Sequence, residues 1–169
     1  WEWVETQIAS GIVTLGSLNI TSGYDYMISW RNIKNVTYDA PLSCRIMTGG
    51  TPAQVTAGYL GTYEYSYGVT GPVSAVNPID NIYLNTANAH SGSTIGDGKF
   101  GEIIFYDPAN SEIKEFRWSS GDRNSSVVYR GSGSGVNTSI TAVTGFSLYA
   151  DGATFGGGSV ILHRRIITA

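Results

Sequence analysis

Four tyrosines crowded into one short segment are the residues of this chain best suited to recognition chemistry. Tyr59, Tyr63, Tyr65 and Tyr67 share one parity in Tyr59-Leu60-Gly61-Thr62-Tyr63-Glu64-Tyr65-Ser66-Tyr67, with Gly61 as a gap in the row. In a strand, residues two apart face the same side, so these rings would line one face. Three readings fit such a row. The rings could fill the core with their hydroxyls at its rim, wall a subunit interface, or offer a platform on which sugar rings stack. A second candidate is Trp118 with Tyr129, flanking a turn that carries Asp122 and Arg123. A tryptophan beside an Arg/Asp turn suits a saccharide, and it suits a core position on a strand equally well.

Residues able to make or break bonds are sparse. The carboxylates Glu64, Glu102, Asp107, Glu112, Glu115 and Asp122 are scattered over expected turns and strand ends, and glycosidase chemistry needs two of them facing each other. The histidines are His90, in a Ser/Gly-rich loop, and His163, inside the expected last strand. No G-x-S-x-G elbow accompanies them, so a hydrolytic triad is not expected. Asp97 in Ile95-Gly96-Asp97-Gly98-Lys99 lacks the alternating acidic ligands of an EF-hand loop and reads as a glycine turn. Gly131-Ser132-Gly133-Ser134-Gly135 has no Gly-Lys-Ser/Thr and no following helix, so it reads as a flexible loop rather than a phosphate cradle. The sequons at Asn19, Asn35, Asn124 and Asn137 are what a Ser/Thr-rich chain carries by chance. Cys44 is the sole cysteine; it shares parity with Leu42 and Ile46 and reads as a small buried apolar residue. Neither a metal nor a cofactor is expected, and no enzyme activity.

The elements that must position these residues are short strands. Tyr24-Asp25-Tyr26-Met27-Ile28-Ser29-Trp30 alternates cleanly, with Tyr24, Tyr26, Ile28 and Trp30 on one face. Strands are also expected at 3–8, 11–15, 42–46, 59–69, 73–76, 82–84, 102–106, 113–119, 127–130, 140–143, 146–149 and 160–166. Turns are expected at Gly49-Gly50, Asp107–Asn110 and Gly121–Asn124, a glycine turn at Gly156–Gly158, and a long loop over 85–98. Ile113–Ser119 should pair with Glu102–Tyr106 as a hairpin. No helix and no fixed-period repeat is visible. The expectation is an all-β, jelly-roll-like antiparallel sandwich forming one domain over 1–169.

Composition narrows the partners. Charged residues make up 14% of the chain, against ~25% in soluble domains generally. The surface must therefore be built from Ser, Thr, Asn, Tyr and the 22 glycines, which suits neutral polar ligands and subunit packing. The formal net charge of −3 argues against nucleic acid, whose phosphates need clustered Lys and Arg. No apolar run is long enough for a membrane-spanning helix. The Trp1-Glu2-Trp3 start has no secretory-leader pattern and reads as an excised module.

Three segments together resemble the distal modules of bacteriophage tail fibres and tailspikes. They are Ser22-Gly23-Tyr24-Asp25-Tyr26-Met27-Ile28-Ser29-Trp30-Arg31-Asn32-Ile33, Gly101-Glu102-Ile103-Ile104-Phe105-Tyr106-Asp107-Pro108, and Gly157-Gly158-Ser159-Val160-Ile161-Leu162. The last departs from the usual Leu-Tyr-Gly ending, reading Leu162-His163-Arg164. The resemblance implies a homotrimeric, jelly-roll-like fibre tip that recognises a host-surface glycan or protein. It carries over no individual binding residue, because such tips vary their loops. Other roles compatible with the residues are the tip of a bacterial adhesive fibre, a trimerisation, capping or capsid-decoration module, and a carbohydrate-binding module of a larger enzyme.

Overall fold

The computed structural model describes the chain except residues 18, 37–39, 52, 68–69, 77–79, 85–97, 125–126, 151 and 169, and except the side chains of 67, 70–76, 123–124 and 127–128. The expectations for His90 and Asp97 lie outside the described residues.

Among the described residues there are thirteen strands and no helix: β1 (Glu2–Ile8), β2 (Val13–Leu15), β3 (Tyr24–Asn35), β4 (Leu42–Thr48), β5 (Ala53–Gln54), β6 (Tyr59–Tyr67), β7 (Thr70–Val76), β8 (Ile82–Tyr83), β9 (Gly98–Tyr106), β10 (Lys114–Asn124), β11 (Val127–Asn137), β12 (Val143–Ala150) and β13 (Phe155–Ile166). They form two antiparallel sheets. The larger runs β1-β13-β3-β9-β10-β11-β6-β7; the smaller runs β2-β12-β4-β5, with β8 also on β4. The last strand, β13, is interior, hydrogen-bonded to β1 on one side and β3 on the other.

Alternation places the core. On β3, Tyr26, Ile28 and Trp30 are fully buried, as the parity of that segment predicts; Leu42, Cys44 and Ile46 of β4 are as well. Burial pushes the Cys44 thiol far above its usual range. Rings bridge the two sheets. Phe105 of β9 stacks on Phe146 of β12 at 4.6 Å between centroids, and Tyr26 meets the same ring at 6.2 Å. Tyr59 of β6 ties the sheets by hydrogen bonds: the Ile46 N–H donates to its hydroxyl at 2.9 Å, and that hydroxyl donates to the Val55 carbonyl at 3.0 Å. The inner faces of both sheets thus share one core, which makes the domain a β-sandwich. The Asp107–Asn110 turn and the β9–β10 hairpin form as expected. Lys114, fully buried, is clamped by the Asn110 carbonyl, the Asn110 Oδ1 (3.2 Å) and the Glu112 carbonyl; burial lowers its pKa.

The glycine segments depart from expectation. Gly131–Gly135 is no loop but the middle of β11, paired on both sides. Its glycines face inward, where neighbouring rings occupy the space a Cβ would need. A Cβ on Gly133 would lie 2.8 Å from Trp118 Nε1 and 2.8 Å from Tyr63 Cβ; one on Gly135 would lie 2.9 Å from Phe116 Cζ. Gly121–Asn124 likewise belongs to β10 rather than to a turn. Gly156–Gly158 lies within β13 as a pair of bulges, with register shifts on both sides of Gly157. Gly158 has φ +111°, and a Cβ there would lie 2.6 Å from the Asn32 carbonyl oxygen, so backbone touches backbone. Residues 140–142 are not strand; β12 begins at Val143.

Candidate ligand-binding face

The larger sheet turns its other face to solvent across β6, β11, β10 and β9, and register fixes what lies side by side there. One cross-strand row reads Glu64–Ser132–Ser119–Glu102; the next reads Thr62–Ser134–Arg117–Ile104; a third brings Ser66, Arg130, Gly121 and Phe100 into line. Ile104 apart, every member of the first two rows is exposed. Short hydroxyl residues between longer charged ones leave a trough. Its largest part, about 390 Å³, lies between Thr62, Glu64, Arg117, Ser132 and Ser134. It shares Glu64 and Ser132 with a depression of about 170 Å³ that reaches Ser66 and Arg130, and Arg117 with one of about 240 Å³ that reaches Glu102. Three strand spacings make this trough roughly 14 Å across. Two guanidinium groups and two carboxylates line it, so its field is nearly balanced.

At one end of the trough an aromatic ring lies open. Phe100 is 46% exposed and leans across the ladder onto its partner Gly121. A Cβ on Gly121 would fall on the tip of the Phe100 ring, 2.6 Å from Cε2, so the ring occupies the space that this glycine leaves. Sequence reasoning misses Phe100, because Gly98 and the residues after it read as the end of a long loop. The available signal is the alternation Phe100-Gly101-Glu102-Ile103-Ile104-Phe105 running back from a clear strand.

The expected site residues fall mainly on the opposite, inner face. Tyr59 is core. Tyr63 and Tyr65 are half-buried, 6.3 Å apart between ring centroids, and Tyr63 packs 6.1 Å from Trp118. Burial, with Tyr65 and Tyr83 nearby, raises the Tyr63 phenol. Trp118 is only 3% exposed; of its two readings, saccharide contact and core position, the structure has the core one, because the parity of β10 turns Phe116 and Trp118 inward over the glycines of β11. Tyr129 is half-buried and pairs with Asp122 on one side and Tyr67 on the other, four residues along the ladder from Trp118, which pairs with Gly133 instead. The side chains of Tyr67 and Arg123 lie outside the description. The tyrosine row therefore divides: one ring is core and two sit at its rim.

The carboxylates do not converge in the pattern of a glycosidase pair. Glu64 and Glu102 share a row, but two strands separate them, a backbone distance of roughly 14 Å, against the ~5–9.5 Å between carboxyl groups that such chemistry uses. Asp122 is buried against Lys99 Nζ at 3.2 Å. Asp107 accepts from the Gly23 N–H at 2.9 Å and from Ser22 Oγ at 3.2 Å. Glu112 and Glu115 are exposed, one in a turn and one on β10. His163 is half-buried with Nε2 3.3 Å from Ser29 Oγ; burial, aided by nearby positive charge including Arg31, lowers its pKa. Among the described residues no three His, Cys, Asp or Glu side chains gather as a metal site. Of the sequon asparagines, Asn35 and Asn137 are buried.

No protein-family model and no curated protein matches the chain. Among solved structures, a C2 domain of a plant extended synaptotagmin is similar at 9% identity, over 88% of this chain and 99% of that one, with a TM-score of 0.18. A likeness at that level carries no argument.

Proposed function

We propose that this chain is a non-enzymatic receptor-binding tip of a fibre, jelly-roll-like and homotrimeric, of the kind carried outside the cell on phage tail fibres, and that it binds a host-surface glycan. The observation that carries the reading is the solvent-facing trough across β6, β11, β10 and β9. Hydroxyl groups floor it, and Glu64, Glu102, Arg117 and Arg130 stand around it as hydrogen-bonding groups of both signs. A near-neutral field suits a polyhydroxylated ligand better than a phosphate backbone. The strands beneath are hydrogen-bonded on both sides, so the contact groups are held without a large ordering cost. Single sugar sites are weak, and three copies on one fibre would raise avidity through effective concentration. The reading needs no cofactor.

Exposed apolar side chains on β1 and just before it support self-association. Trp3 is 63% exposed and Trp1 48%, and the Trp1 ring lies 4.8 Å from the Arg165 guanidinium at the end of β13. The same observation favours a second reading, a trimerisation module that binds only its own fibre. Glycan-array screening, with light scattering of the eluted protein, separates the two. The proposal expects a trimer that binds at least one glycan class. A trimer that binds no glycan favours the second reading, and a monomer that binds glycan favours a tethered carbohydrate-binding module.

A further inference from the structure

We infer that Phe100 is the stacking platform of this face and that the ligand it takes is a neutral pyranose presenting an apolar C–H face. The inference rests on the glycan-binding reading above and names the part of the site that would read the sugar. Four features converge. The ring is nearly half exposed at the end of the face where its row neighbours are Arg130 and Ser66 and the next row is Glu102, Ser119, Ser132 and Glu64, so it loses the benefit of burial. Its far end rests on Gly121, so the ring leans along the sheet instead of standing up from it. It leans toward β11, where Arg130 continues the same row. Glu102 and Ser119, paired with each other, stand one step along the same two strands and face the same side. A pyranose lying on the ring would therefore have donors on one flank and acceptors on another, within the width of two strands (~10 Å). The face of an aromatic ring is electron-rich and attracts the weakly positive C–H groups of a sugar. A carboxylated sugar would set its charge against Glu102, one step along the same strand.

The competing explanation is that the ring only shields the backbone at Gly121, as aromatic side chains do for strand glycines. Three variants separate the two. Phe100→Leu keeps an apolar cover without the π face. Phe100→Trp enlarges the π face. Gly121→Ala keeps the phenylalanine and evicts its ring, because the new Cβ falls on the ring's movable end rather than on backbone. Saturation-transfer NMR and titration with methyl β-D-glucopyranoside and methyl β-D-galactopyranoside read binding; urea midpoints read folding. The expected result is a loss of affinity of about three- to tenfold in Phe100→Leu and Gly121→Ala, retention or gain in Phe100→Trp, and unchanged midpoints. Unchanged sugar binding in Phe100→Leu, or loss that only follows a fall in the midpoint, overturns the platform. If the wild type ignores both glycosides yet binds another glycan regardless of residue 100, the platform fails while the broader reading stands. Silence on every glycan of the array overturns both.

Discussion

The buried ion pair between β9 and β10 offers the sharpest test of how this sandwich is held together. Lys99 Nζ lies 3.2 Å from Asp122 Oδ2, with each side chain 4% exposed. At an effective dielectric of about 20 the Coulomb attraction at that distance is about 5 kcal/mol. Removing both ions from water costs a similar amount, so the pair as a whole contributes little net stability. Removing one partner is different, because it takes the opposite charge at 3.2 Å away from a charge that stays buried. Asp122→Leu and Lys99→Met should each lose about 3–5 kcal/mol, while the two together should return to within about 1 kcal/mol of wild type. Urea unfolding at one fixed protein concentration measures this, since stability that depends on assembly varies with concentration. Single variants that each lose less than about 1 kcal/mol, or a double variant that loses the sum of the two, would refute the reasoning.

Three further outcomes follow from packing and titration. Gly133→Val should lower the melting temperature although valine favours strands, because its Cβ would lie 2.8 Å from the Thr62 carbonyl oxygen and from Trp118 Nε1. Overpacking of that kind costs about 1–3 kcal/mol, or ~2–10 °C in a domain of this size, whereas Ser132→Val on the exposed face should stay within about 0.5 kcal/mol. His163 has a lower pKa folded than unfolded, so the unfolded chain takes up its proton first. Its contribution to stability is intact above the unfolded value of ~6.5 and falls as pH drops through that region; urea midpoints of His163→Gln against pH should lack that slope. Cys44 is fully buried with its thiol pKa pushed up, so Ellman's reagent should label it only at the rate of unfolding.

Much of the fold is legible in period-two alternation, and the failures share a cause. Tyr26, Ile28 and Trp30, and then Leu42, Cys44 and Ile46, have side chains that favour a half-buried pleat, so parity and burial agree. Gly131, Gly133 and Gly135 carry no such preference and read as breakers. Their place is set by large rings on the neighbouring strands, Phe116 and Trp118 on one side and Tyr63 on the other, which one strand's sequence does not display. The hint is the two-residue spacing of the glycines themselves, with Ser132 and Ser134 between them. The same blindness to neighbouring strands misplaces the candidate site. Conspicuous aromatics point to Tyr63, Tyr65 and Trp118, but in a sandwich the largest rings go to the inner face. The groups left along the trough are serines, a threonine and charged side chains, unremarkable in sequence until register sets them in rows. Phe100 is the exposed ring beside them, seated in the space that Gly121 leaves.

We propose above that glycan binds on the solvent-facing side of β6, β11, β10 and β9. Amide chemical-shift mapping of the labelled protein, titrated with the best-binding glycan from the array, tests it directly. Shifts should cluster at Phe100, Glu102, Ser119, Arg130 and Ser132, with β2, β12 and β4 silent. Shifts confined to the smaller sheet or to the β1 and β13 edge would contradict it.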